Sequence, residues 1–270
     1  MPKNPDLATA FHALHRGPEL LILPNAWDAG TARLIESLGA RAIATTSAGV
    51  AWSHGYPDGD ALPAELAIAT TAAIARAIRA PLTVDAEGGY SDDPEAVAGF
   101  VARLIDAGAV GINLEDGTGS PELLAAKIAR VRRTAGELGV DLFINARVDV
   151  YLRGLGDKSG RLAEVHARAA RYRDAGASGI FVPALVDPAA IGELAGAIGL
   201  PLNLLAWAGL PPAAELARLG VRRLSAGSSI TQAVLGRTKE LAAAFLRDGE
   251  RDTSPGALTH SQLNALIGGQ

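Results

Sequence analysis

Four times along the chain a helical pattern ends in glycine and passes within a few residues into an apolar stretch. The exits are Ser37-Leu38-Gly39-Ala40, Asp106-Ala107-Gly108-Ala109, Asp174-Ala175-Gly176-Ala177 and Arg218-Leu219-Gly220-Val221. Glycine just past a helix end takes the left-handed cap conformation at little steric cost. Repeated helix-Gly-strand units mark parallel βα architecture, not hairpins. Eight strand candidates follow, at 20–23, 42–46, 82–85, 110–115, 142–147, 179–183, 202–206 and 222–226. Between them lie helical periods: Val97, Phe100, Val101, Leu104 and Ile105 form one apolar face behind Pro94. Asp28 reads as the N-cap of a helix over 29–38. Eight such units in about 250 residues predict a closed (β/α)₈ TIM barrel. An open doubly wound sheet is the lesser alternative, since it usually has fewer strands.

No linker of biased composition divides the chain, so one domain over 1–270 is expected, with the barrel at about 18–248. A C-terminal helical segment would follow in 249–270, where 259–267 is amphipathic. Two readings of that piece stay open, a frayed tail or a helix that contacts a partner. The net charge of −4 offers no basic footprint for nucleic acid. With no cysteine there is no disulfide, thiolate metal site or cysteine acid. No signal-peptide layout or membrane-length apolar run occurs, so a cytoplasmic protein without membrane contact is expected.

In a barrel of this kind chemistry sits at the C-terminal ends of the strands. Those ends carry Asn25 and Asp28, Thr46 and Ser47, Asp85 and Glu87, Glu115 and Asp116, Asn145, Arg147 and Asp149, Asn203 and Trp207, Ser225 and Ser228. Asp28, Asp149 and Ser225 read as caps or loop anchors. Asp85 and Glu87 are two residues apart, so on an extended strand they share a side. With Glu115 on the neighbouring strand, three carboxylates are expected to converge, which is costly without a cation. Oxygen-only ligation favours Mg²⁺, with Mn²⁺ second, over Zn²⁺, and the five histidines are scattered. None of the four lysines lies on a candidate strand, which excludes a Schiff-base aldolase. The small residues of Thr45-Thr46-Ser47-Ala48-Gly49 would let backbone amides approach an anion or carbonyl, or else form a tight turn. Asp58, in the turn-rich stretch 55–60, reads on its own as a solvated turn residue.

Taken in order and spacing, six segments resemble the isocitrate lyase/phosphoenolpyruvate mutase superfamily. They are Pro24-Asn25-Ala26-Trp27-Asp28, Thr46-Ser47-Ala48-Gly49, Gly55-Tyr56-Pro57-Asp58, Asp85-Ala86-Glu87-Gly88-Gly89-Tyr90, Asn113-Leu114-Glu115-Asp116 and Asn145-Ala146-Arg147-Val148-Asp149. The resemblance implies a (β/α)₈ barrel, Mg²⁺, a 2-oxo or 2-hydroxy acid substrate and a homo-oligomer, a dimer or tetramer, often with an exchanged C-terminal helix. It implies Asp85 as the direct metal ligand, with Glu87 and Glu115 in support. Ser47 and Ala48, with Gly49 beside them, would hold the substrate carbonyl through backbone amides, Arg147 the carboxylate, and Asp58 would stand near the carbonyl. Asn203 is carried as a further substrate-binding candidate.

The departures narrow the activity. The isocitrate and methylisocitrate lyases have a Lys-Lys/Arg-Cys-Gly-His loop where this chain reads Gly117-Thr118-Gly119-Ser120. The phosphonate-handling members have a Lys- and Asn-containing gate there, also absent. The expected activity is therefore a Mg²⁺-dependent carbon–carbon lyase that acts on a small 2-oxo or 2-hydroxy (di)carboxylic acid through a pyruvate enolate, resembling oxaloacetate decarboxylase. P–C bond chemistry on phosphonopyruvate and a non-catalytic oxo-acid-binding barrel are the alternatives.

Overall fold

The computed structural model describes residues 5–249 and 256–268. Nine short strands form one all-parallel sheet in the order β1-β9-β8-β7-β6-β5-β4-β3-β2. They are β1 (Leu21–Leu23), β2 (Asn25–Ala26), β3 (Ile43–Thr45), β4 (Leu82–Asp85), β5 (Gly111–Glu115), β6 (Phe143–Arg147), β7 (Gly179–Phe181), β8 (Leu202–Leu205) and β9 (Arg223–Ser225). β1 matches the predicted first strand, and β2 continues it beyond the predicted end, on the far side of Pro24. Proline has no N–H for the ladder, yet its carbonyl still accepts from Ala44 at 3.3 Å, while Leu23 accepts from Ala226 at 3.2 Å. β1 thus pairs with β9 and β2 with β3, and the ring is a TIM-type barrel.

Helices sheath the sheet as the periodicity predicts. α2 (Ala29–Ser37) starts at Asp28 with a full capping box. Next come α3 (Ser47–Ser53), α4 (Ala64–Ala77) and α5 (Pro94–Asp106). In α5 the side chain of Asp93 caps the Glu95 amide, and all five predicted apolar residues are buried. Each such burial contributes roughly 1.5–3 kcal/mol relative to exposure. α6 (Pro121–Glu137), α7 (Arg161–Asp174), α8 (Pro188–Ala197) and α9 (Ala213–Arg218) complete the sheath.

α1 (Pro5–Arg16), which the strand count left out, closes the N-terminal end of the barrel. Its Phe11 packs edge-on against Phe143 at 5.3 Å between ring centres, and His15 stacks on the same ring at 4.0 Å. Gly111 makes room for it, since a Cβ there would lie 2.7 Å from the Phe11 ring.

The sheath is incomplete outside β1, where Ile22 is 52% exposed. α10 (Ser229–Asp248) leaves the barrel instead of covering that face. Thr231 is its one buried residue, while Val234, Leu235, Phe245 and Leu246 stand in solvent. α11 (His260–Gly268) returns against α2, where Arg33 Nε donates to the Leu266 carbonyl at 3.2 Å. Part of the polar stretch predicted before it, residues 250–255, lies outside the described residues. Among the described residues no helix is long and apolar enough to cross a membrane.

Candidate active site

Alternate residues of β5 and β6 face inward, so the register stacks the barrel interior in layers. Gly111 sits beside Phe143, Asn113 beside Asn145, and Glu115 beside Arg147. The lowest layer is the aromatic plug. Above it lies a polar layer built on Arg223, which is 1% exposed. Arg223 donates to Asn113 Oδ1 (3.2 Å) and Ser225 Oγ (3.3 Å), Asn145 donates to Asn113 Oδ1 (2.9 Å), and Ser225 to Asn203 Oδ1 (3.0 Å). Burial lowers the Arg223 pKa to about 9 despite the opposing charge of Asp85 above. Arg223 was not read from the sequence as a functional residue. The structure also takes Asn203 out of the predicted binding surface: its carbonyl oxygen accepts from Ser225 within the barrel, and the residue is 1% exposed.

The top layer is the mouth, a cavity of about 310 Å³ lined by Ser47, Asp58, Gly59, Glu87, Glu115, Arg147, Leu152 and Arg153. Ser47 and Asp58, predicted from separate loops, meet here. Ala48 is buried behind Ser47, and Gly49 serves packing. A Cβ at Gly49 would lie 2.7 Å from the Thr46 methyl and 2.8 Å from Thr231 Oγ1, so its small size seats α3 against α10 and not against a ligand.

The predicted convergence of three carboxylates needs correction. β4 ends at Asp85, and Glu87 has φ +50°, so the two-residue alternation of a strand does not reach it. Glu87 instead holds down the loop over 55–60. Its Oε2 accepts from the amides of Gly59 (3.1 Å) and Asp60, and its Oε1 accepts from the Tyr90 hydroxyl (2.9 Å). Glu115 pairs with Arg147. Among the described residues no three acid or histidine side chains are set as a metal cage.

What Asp85 does is different. Its Oδ2 accepts from the Ser47 amide at 3.3 Å, while its Oδ1 is buried without a hydrogen-bond partner among the described residues. Desolvation pushes the Glu115 carboxyl up to about 8; Arg147 opposes this, and Asp85, Asp149 and Glu87 add to it. Glu87 and Asp60 are also raised, first by burial, though backbone hydrogen bonds oppose it. Burial, reinforced by neighbouring acids, thus disfavours the charged form of the carboxyls at the mouth.

Arg147 is held by Asp149, which is fully buried. Its Nε and Nη2 donate to the two Asp149 oxygens at 2.7 and 3.1 Å, and Arg153 Nε donates to Asp149 Oδ2 at 3.0 Å. Asp149 is more than the loop anchor read from the sequence, since it positions both arginines. Beneath it, Asp116 accepts from the Asp149 amide (2.9 Å), Arg168 (2.9 Å) and the Tyr172 hydroxyl (2.7 Å). Arg153 was missed in the sequence. Its signal was the four-residue spacing from Asp149, which becomes legible once 149–153 forms a turn.

An all-parallel barrel with acids and a braced arginine at its C-terminal mouth defines an enzyme of the isocitrate lyase/phosphoenolpyruvate mutase superfamily, whose members are carbon–carbon lyases or mutases. More narrowly, the family model described as phosphoenolpyruvate phosphomutase matches residues 11–246, and the chain belongs to that family. It is 41% identical over 263 residues to an uncharacterised Mycobacterium tuberculosis H37Rv protein, covering 96% of each chain. It is 30% identical over 203 residues to an oxaloacetate decarboxylase of Pseudomonas aeruginosa PAO1, covering 71% of this chain and 66% of the relative. The solved structure of a phosphonopyruvate hydrolase with oxalate and Mg²⁺ superposes with a TM-score of 0.85 at 25% identity, covering 100% of this chain and 96% of that one.

Proposed function

We propose that the chain is a divalent-metal-dependent lyase that breaks a carbon–carbon bond beside a 2-oxo acid unit in a small 2-oxo or 2-hydroxy acid. The observation that carries this reading is the buried Asp85 oxygen with no partner among the described residues, at the end of β4 and within electrostatic reach of the Glu115–Arg147 pair. A desolvated carboxylate oxygen without a donor is costly unless a cation meets it. The surrounding donors are all oxygens, which suits Mg²⁺, with Mn²⁺ second. Asp85 would hold the ion directly, with Glu115 in support through water and Glu87 fixing the loop beside them. When bound, the ion supplies positive charge against the oxyanion that develops as the bond breaks.

The protein's own groups do the rest. The first-turn amides of α3 have no intrahelical acceptor, so Ala48 N–H is available to the carbonyl oxygen, with Ser47 beside it. One such donor typically contributes about 3 kcal/mol to lowering the barrier. Arg147, locked in place by Asp149, offers its remaining N–H groups to the substrate carboxylate. Asp58 orients the carbonyl end from the loop that Glu87 pins down. Departure of CO₂ needs no acid for the leaving group, which agrees with the missing cysteine loop. The pseudomonad relative, an oxaloacetate decarboxylase by name, supports the same class.

The uncovered Ile22 face and the apolar face of α10 further support a homo-oligomer in which α10 of one copy covers the barrel of another. The test of activity is oxo-acid release from a panel of 2-oxo and 2-hydroxy acids, with Mg²⁺ and with EDTA. Turnover that EDTA abolishes is expected. Phosphonopyruvate belongs in the panel, because phosphate release from it alone would move the assignment to P–C chemistry. Absence of turnover on every member would leave a binding barrel.

A further inference from the structure

A second cavity of about 450 Å³ adjoins the mouth on the side of the short 117–120 loop. Asp60, Gly88, Asp92, Gly117 and Lys127 border it, and Glu115 and Arg153 line both cavities, so those two side chains form the shared wall. Either volume alone accommodates a small organic acid, and together they exceed what one needs.

Three cations border this double space, and on two of them every nitrogen already has a protein partner, although Arg147 keeps one further N–H on each Nη for the acid in the mouth. Arg147 directs Nε and Nη2 to Asp149 and Nη1 to Glu115. Lys127 is 5% exposed, donates to the Gly88 carbonyl at 2.8 Å and lies 3.5 Å from Asp92. Arg153 differs in degree: its Nε donates to Asp149 Oδ2 at 3.0 Å, and its Nη2 makes only a long ion pair. Its Nη1 has no partner among the described residues, and Nη2 comes no nearer to a carboxylate than 3.9 Å, at Glu115. The guanidinium also faces Gly117, where a side chain would touch it: a Cβ there would lie 3.8 Å from Nη2. The result is a planar fork fixed from behind by a buried acid, half-exposed, with Nη1 open and Nη2 only loosely paired to Glu115 where the cavities meet. Such a fork matches a carboxylate in two-point contact, and its fixed plane lowers the ordering cost of binding.

We infer that Arg153 is the clamp for a second carboxylate, and that the substrate is a diacid spanning both cavities, with its 2-oxo or 2-hydroxy acid end in the mouth. The inference rests on the proposed lyase reading and narrows its substrate class. Glycines at 117 and 119 leave the adjoining cavity open beyond the clamp, so diacids with a substituent next to the second carboxylate fit as well as unbranched ones.

The test compares wild type with Arg153→Gln and Arg153→Lys. Michaelis constants are measured on oxaloacetate and substituted 2-hydroxy diacids, and competitive inhibition is measured for oxalate and for a non-reacting diacid, all with Mg²⁺. Arg153→Gln is expected to raise the diacid KM and the diacid inhibition constant about 30-fold, several times more than that of oxalate. Arg153→Lys should recover part of the loss, and thermal unfolding of the variants should stay near wild type. If wild type turns over but both variants treat diacids and oxalate alike, the clamp is overturned and the lyase reading stands. If wild type turns over none of the acids, the lyase reading fails. Thermal-shift binding of the non-reacting diacid then decides the clamp alone, supporting it if lost in Arg153→Gln and overturning it if retained.

Discussion

The two ends of the barrel solve the same problem in opposite ways. At the N-terminal end α1 inserts Phe11 and His15 against Phe143, and the opening is filled by aromatic packing. At the C-terminal end the opening is left as a cavity, with raised carboxyls and a partnerless Asp85 oxygen. The first arrangement stabilises the fold, while the second leaves desolvated charge for a ligand to meet. Stability and chemistry are thus separated by the length of a strand, as in other barrels of this architecture.

That contrast predicts which mutations harm which property. Asp85→Asn should abolish oxo-acid release, by about 10³-fold or more if the residue holds the ion. It should change thermal stability little, since relief of the buried Oδ1 is offset by loss of the charge that faces Arg223; steady-state kinetics and a melting curve read both, and a large loss of stability would break the comparison. Phe11→Ala should do the reverse, with about 3–5 kcal/mol of destabilisation by urea titration and unchanged turnover per folded molecule. Asp149→Asn should affect both properties, because it loosens two arginines from a buried carboxylate, with about 2–3 kcal/mol lost in each of stability and kcat/KM.

The smallest effect belongs to His15. Burial lowers its pKa to about 3, with the Arg223 charge as a further cause and the Phe11 carbonyl in opposition. The unfolded chain therefore binds this proton first, near pH 6.5, so the contribution is fully present above that pH and is lost as pH falls toward 3. Urea midpoints at pH 7 and pH 5 should drop more for wild type than for His15→Phe, and parallel drops would remove His15 from the account.

Much of the barrel was legible because glycine caps are a local signal. Gly39, Gly108, Gly176 and Gly220 each have positive φ, at +93°, +112°, +105° and +94°, and each precedes a strand. The split at Pro24 and the plug α1 were not, since both depend on what the chain meets after closure. At the site, Ser47, Glu115 and Arg147 were found as residues at strand ends, and Asp58 in a turn-rich loop through the family resemblance; the topology alone brings them together. Glu87 was misplaced because the reading extended strand alternation past the last residue that obeys it. Asn203 and Gly49 have types that suit a ligand, but the barrel uses them inside itself. Arg153 and Arg223 escaped because one works through a turn, without which its spacing from Asp149 means nothing, and the other through a layer, which leaves no linear pattern.

Arg223 has a consequence for how the entrance behaves. Its hydrogen bonds go to uncharged groups, Asn113 and Ser225, so no touching carboxylate cancels its charge. With a pKa of about 9 it is mainly cationic at neutral pH, in a chain whose overall charge is −4. Mobile ions cannot approach it there, so added salt screens it far less than a surface group. Its pull on Asp85, the acid above it, should therefore hold in dilute buffer and in brine alike.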